Sequence, residues 1–129
     1  MNNAISSRWL RLAGLVGAVG VALGAFGAHG LKDRISADLL EVYRTGVLYH
    51  LLHAVVLLAV VLGERHIQWG RLVRWLLVVG ILIFSGTLYA LALSGQRWLG
   101  AITPLGGLAF IAAWTTLFVG GSSSQPRAS

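Results

Sequence analysis

The sequence predicts an all-α membrane protein built as a four-helix transmembrane bundle, and three observations carry that expectation. The composition is 57% hydrophobic against 11% charged, more apolar surface than a water-soluble fold of this length can hide. The apolar residues fall in four long runs without period-2 alternation, which selects helices over barrel strands. Lipid offers a bare backbone no hydrogen bonds, so each run must satisfy its own groups as a helix. The net charge of +6 rests on ten Lys and Arg scattered singly between the runs. They form no basic face, so nucleic acid is not expected as a partner. The chain has no cysteine, which removes disulfide and thiolate chemistry.

The first run, Leu12 to Ala28, follows Arg8, Trp9 and Arg11, which can sit among headgroups and lengthen the span. A secretory signal peptide would share the basic start. The run is long for one, however, and Phe26-Gly27-Ala28 is a poor cleavage site, so the run is expected to stay as span one. A mixed stretch from His29 to Arg44 follows, in which Ser36 is placed to cap a helix with Asp38 and Glu41 near its start. That helix is expected to run on into span two, Gly46 to Leu62. Polar residues from Gly63 to Arg74 lead to span three, Trp75 to Leu93. A short loop with Arg97 and Trp98 precedes span four, Ile102 to Gly120. A single domain over 1–120 is expected, with spans at about 9–28, 46–62, 75–93 and 102–120, and a polar disordered tail at 121–129.

Six of the ten basic residues (Arg8, Arg11, Arg65, Arg71, Arg74, Arg127) flank one side and four (Lys32, Arg34, Arg44, Arg97) the other. The positive-inside rule then puts both termini in the cytoplasm. Trp9, Trp69 and Trp75 would mark the inner interface, and Trp98 the outer one.

Gly17, Gly20, Gly24 and Gly27 share one face of span one, and Gly106, Ala109, Ala113 and Gly120 form a comparable stripe on span four. Such faces let helices approach closely in lipid, so both stripes are expected to pack the bundle. The ends of spans one and three and the starts of spans two and four share a leaflet. On that ground His29, Tyr49, His53, Ser85, Tyr89 and Thr103 are expected to form one polar cluster, with His53 hydrogen-bonded across helices. His53 is then either a neutral interhelical tie or a functional group. Metal or haem ligation by His29, His50 and His53 is a further reading, but no cysteine or carboxylate stands at ligand spacing within the spans, and no metal or cofactor is assigned. No Asp, Glu, Lys or Arg lies well inside an expected span. A carboxylate for proton-coupled transport is therefore missing, and no nucleotide-binding or acyl-transfer motif is present.

Four motifs stand in order: Ala22-Leu23-Gly24-Ala25-Phe26-Gly27-Ala28-His29-Gly30; Tyr49 with His53-Ala54; Phe84-Ser85-Gly86-Thr87-Leu88-Tyr89; and Thr103-Pro104-Leu105-Gly106-Gly107, followed by Trp114. In these the chain resembles the YgdD-like membrane proteins, a family built on domain of unknown function 423, with mitochondrial transmembrane relatives. The resemblance covers about Leu12 to Val119 and implies a four-span bacterial inner-membrane protein without an assigned reaction, substrate or cofactor. His50 departs from it, since members tend to carry Gln there, which weakens a ligand role for that residue. The expected function is a non-enzymatic membrane protein that offers a polar pocket to a partner protein, a lipid or a small hydrophobic molecule. A small channel or carrier for a neutral solute, and a metal or haem accessory protein, are the alternatives. The expected partners are the bilayer and a membrane protein or second copy of the chain.

Overall fold

The computed structural model describes residues 3–121, with side chains from Ser7 onward. The tail expected at 121–129 lies outside them but for Gly121. Four helical stretches, Ser7–His29, Ala37–Leu62, Gly70–Ser94 and Arg97–Gly121, are long and apolar enough to cross a membrane. Among the described residues there is no strand.

Helix α1 covers Asn3–His29 and α2 covers Ala37–Leu62. Ser36 starts α2 as the sequence suggests: its backbone is extended and its hydroxyl accepts from Leu39 N–H at 3.3 Å, closing one of the donors a helix start leaves open. After a single 3₁₀ turn at Glu64–His66, Trp69 takes a left-handed backbone with φ 58° and turns the chain into α3, Gly70–Gly80. Span three is not one regular helix. A π-helical turn over Ile81–Ser85 separates α3 from α4, Gly86–Ser94. Gly95, left-handed at φ 72°, ends α4 by donating its N–H to the Leu91 carbonyl at 2.8 Å. A 3₁₀ turn at Arg97–Ala101 then leads into α5, Thr103–Gly121.

The helices pack up and down in chain order, with glycines setting the closest approaches. Along the α1–α2 seam Tyr43 lies on Gly27, Val47 on Gly24, and His50 and Leu51 on Gly20. Phe84 lies on Gly106 and Phe110 on Gly80, so span three and α5 also run antiparallel in constant register. Gly17 is an exception within its stripe, with open space where a Cβ would stand. Two apolar cores result. One gathers Ala13, Leu57, Val60, Val61, Val73, Leu77 and Ala113; the other gathers Leu31, Leu40, Tyr43 and Ala92 at the opposite end. The polar side chains of the interior lie in the band between them.

Arg74 changes the picture of span three. The sequence places it in the flank, but α3 begins at Gly70 and carries Arg74 inside the helix, 3% exposed. Its guanidinium lies 4.8 Å over the Trp9 ring, and Nη1 is 2.8 Å from Glu64 Oε1. That pair is close but not aligned as a hydrogen bond, and Nε has no partner. A long side chain can bury its charge this way only because a carboxylate and an aromatic face both meet it.

Candidate functional site

The polar band is organised around two histidines on α2, each of which uses both ring nitrogens. His50 and His53 are three residues apart, and both are buried. Their partners nevertheless come from different helices.

His50 Nε2 is 2.8 Å from the carbonyl of Val16 on α1. A carbonyl can only accept, so Nε2 carries the proton. Nδ1, left as the acceptor of a neutral ring, is 2.9 Å from the Tyr89 hydroxyl on α4, which therefore donates to it. The imidazole fits against α1 because Gly20 has no side chain; a Cβ there would stand 3.1 Å from His50 Cδ2. Below it, Ser85 is fully buried and donates to the Gly46 carbonyl at 2.7 Å, and Tyr43 donates to the Leu23 carbonyl at 2.5 Å. This group ties α1, α2 and span three together.

His53 has the opposite tautomer. Trp114 Nε1–H on α5 donates to its Nε2 at 3.2 Å, so the proton sits on Nδ1 and is given to the Tyr49 carbonyl at 2.8 Å. Phe110 stacks on the ring, with centroids 3.7 Å apart and planes 11° from parallel. Tyr49 stacks 5.9 Å away on another side. Apart from these two hydrogen bonds its described neighbours include the rings of Tyr49, Phe110 and Trp114.

A third group forms at the π-helical turn. Gly86 N–H reaches back five residues to the Ile81 carbonyl, and Thr87 donates to Ile83 O at 2.6 Å. Thr87 is also 2.7 Å from Thr103 Oγ1, whose hydroxyl proton completes the bond between span three and α5. The turn pushes the Phe84 backbone so close to α5 that a Cβ on Gly106 would stand 2.8 Å from Phe84 Cα. Turns of this kind recur at functional positions in helices. Here its freed carbonyls are met inside the protein.

The single cluster expected of His29, Tyr49, His53, Ser85, Tyr89 and Thr103 is thus divided. Tyr89 and Ser85 group with His50, His53 groups with the Tyr49 backbone and Trp114, and Thr103 groups with Thr87. His29 ends α1 in an exposed position, joined to none of them among the described residues. Tyr49 is 38% exposed and offers its carbonyl, not its hydroxyl, to His53. The physical reason is helix rotation. Sequence order fixes the end of the bundle a segment occupies, but at ~100° per residue Tyr49 and His50 point to different neighbours. Moreover, α2 starts at Ala37, so His53 lies ~24 Å along it, near the middle of the bundle. Sequence reasoning left His50 out of the cluster and passed over Thr87, Trp114 and, in a stretch of mixed charge, Tyr43 as partners. Thr87 and Trp114 stand in or beside the recognised motifs, which was the available signal. Of the packing positions, Gly20, Gly24, Gly27 and Gly106 meet neighbouring helices, Ala113 is fully buried, Ala109 is half-buried, and Gly17 meets nothing. Among the described residues no three His, Asp or Glu stand close enough to hold a metal ion.

Four apolar helices, internally tied by neutral polar groups, define a small integral membrane protein of the helical-bundle class. The family follows from the sequence: the model of "Protein of unknown function (DUF423)" matches residues 23–107, and the chain belongs to that family. It is 47% identical to the UPF0382 membrane protein YwdK of Bacillus subtilis over 77% of this chain and 83% of the relative. It is 43% identical to the UPF0382 membrane protein SSP2132 of Staphylococcus saprophyticus over 84% and 92%. Identity to the UPF0382 inner membrane protein YgdD of Escherichia coli is 39%, over 90% of this chain and 91% of the relative. No solved structure matches the chain.

Proposed function

We propose that this protein is a non-enzymatic component of the bacterial inner membrane that acts through its outer surface, holding lipid or another membrane protein there rather than a ligand inside the bundle. One observation carries the reading: every ring nitrogen of His50 and His53 is engaged by a protein group. A carrier or metal site needs polar atoms free to receive its cargo, and the interior band offers none at these residues. The name of the Escherichia coli relative supports the inner membrane as its location, and the basic flanks support cytoplasmic termini. Reporter fusions at Ser129 and in the loop from Ser94 to Gly100 check the orientation, which a periplasmic tail would overturn.

The reading is tested by what co-purifies from native membranes with the parent and with His53→Gln. A glutamine keeps one donor and one acceptor at the position, so the variant is expected to fold and to retain the same lipids and proteins. Loss of a co-purifying species from folded His53→Gln protein would place the binding site inside the bundle and defeat the proposal.

A further inference from the structure

The two ends of the bundle differ in how their charges are matched. Around Lys32, Arg34, Arg44 and Arg97 stand three carboxylates, Asp33, Asp38 and Glu41. Among the described residues the opposite end holds Arg8, Arg11, Arg65, Arg71 and Arg74 against Glu64 alone, and Glu64 is taken by the buried Arg74. Among the described residues no carboxylate pairs with Arg8, Arg11, Arg65 or Arg71, all of them exposed. Three of these stand in sequence beside two tryptophans that meet across helices. Trp9 and Trp75 meet edge to face with centroids 5.2 Å apart, which sets the first turns of α1 beside those of α3. Arg8 and Arg11 share a face of α1 one turn apart at the level of Trp9, and Arg71 stands one turn before Trp75 on α3. Arg74, 4.8 Å over the other ring, braces this pair from the inside.

Beside and below the arginines the surface is apolar. Leu10, Leu15, Leu72 and Trp75 are 45%, 61%, 52% and 51% exposed. Unmatched guanidinium groups at a headgroup level, next to an apolar skirt, fit a molecule with a phosphodiester at one end and acyl chains at the other. Guanidinium groups bind phosphate oxygens with paired hydrogen bonds, and basic clusters at the cytoplasmic face attract anionic lipid. We propose that Arg8, Arg11 and Arg71, arranged about the Trp9–Trp75 pair, bind an anionic phospholipid in the leaflet at that end. A free phosphate would satisfy the charge but leave the apolar skirt unused, so the lipid is the occupant that fits both. The inference deepens the outer-surface reading above and rests on it.

The tryptophans within the site supply the test. The full chain is reconstituted in phosphatidylcholine bilayers containing either brominated phosphatidylglycerol or brominated phosphatidylcholine at equal mole fraction, and tryptophan quenching is compared. Bromine quenches at short range, so the ratio reports which lipid sits at the protein's five tryptophans, and the part of it that substitutions at Arg8, Arg11 and Arg71 remove reports on Trp9 and Trp75. The parent is expected to favour phosphatidylglycerol by about 5-fold or more, the preference that one net basic contact of ~1 kcal/mol gives. Arg8→Gln/Arg11→Gln/Arg71→Gln should lose the preference, whereas Lys32→Gln/Arg34→Gln/Arg97→Gln at the other end should keep it. Added inorganic phosphate should not abolish it. Equal quenching by the two lipids in the parent, a preference that survives the first triple variant, or one that inorganic phosphate removes would each overturn the proposal. These outcomes leave the His53→Gln co-purification result untouched, so the failure of this site and the failure of the outer-surface reading are told apart. Arg71→Gln alone, expected to give a partial loss, serves if the triple variant does not fold.

Discussion

Replacing Gly106 with alanine should separate α5 from the π-helical turn and cost the bundle much of its stability. The added Cβ would meet Phe84 at its backbone nitrogen and stand 2.8 Å from its Cα, and a backbone cannot rotate away as a side-chain tip can. Carbon atoms rest at about 3.5–4.0 Å, so the two helices must part by about 1 Å. Overpacking of this kind costs about 1–3 kcal/mol, and the shift also stretches the 2.7 Å bond between Thr87 and Thr103, worth about 0.6–2 kcal/mol between membrane helices. The better helix propensity of alanine returns about 1 kcal/mol. A net loss of about 2 kcal/mol follows, close to a 30-fold shift in the unfolding equilibrium. Reversible unfolding in mixed micelles of rising dodecyl sulfate content measures it. Gly17→Ala is the internal control: nothing lies within 4 Å of the new atom, so it should keep the helix-propensity gain of about 1 kcal/mol and be no less stable than the parent. If Gly106→Ala unfolds at the same detergent fraction as the parent, the close approach of α5 to Phe84 is not part of the native packing.

Two further predictions use the same unfolding assay. At position 50 the requirement is one donor toward Val16 and one acceptor toward Tyr89, which glutamine also supplies; His50→Gln should stay near the parent, while His50→Leu should lose about 1–3 kcal/mol because the Tyr89 hydroxyl is left without an acceptor. At the Glu64–Arg74 pair, Glu64→Gln should destabilise more than Arg74→Met, because the first leaves a buried cation without its counter-charge and the second removes the charge altogether. A larger loss for Arg74→Met would mean that the guanidinium contact with Trp9 outweighs the cost of burying the charge.

Much of the fold is legible in the sequence because bilayer thickness imposes a length on apolar runs. The four spans, the Ser36 cap and the close approaches at Gly20, Gly24, Gly27 and Gly106 follow from residue type and spacing. The π-helical turn does not, because Ile81 to Ser85 reads as uninterrupted apolar helix and the displaced hydrogen bonds leave no mark in residue type. Arg74 was hidden for a related reason: a charge at the edge of an apolar run reads as a flank, and only the position of Trp9 and Glu64 turns it inward. The site was legible as to the segments that carry it but not as to its depth or its partners. His53 could be recognised as a buried polar group in want of a hydrogen bond, whereas the sequence marks His50 only as a candidate metal or haem ligand. Which helix each one faces depends on the rotation of α2 about its axis, which the spacing of two histidines leaves open. Tyr43 sits in a stretch of mixed charge, where nothing distinguishes a residue that will be fully buried from its exposed neighbours.

The account holds that the interior of the bundle is closed by two neutral histidines of opposite tautomer. Nitrogen-15 spectra of histidine-labelled protein in lipid nanodiscs read this directly, because protonated and unprotonated ring nitrogens resonate far apart. The geometry requires His50 to carry its proton on Nε2 and His53 to carry its own on Nδ1, each assigned by the loss of its signals in His50→Gln and His53→Gln. Finding those two patterns, unchanged when lipid composition is varied, would establish that both rings are committed to the protein. A doubly protonated ring, or the same tautomer at both positions, would contradict the account at its centre.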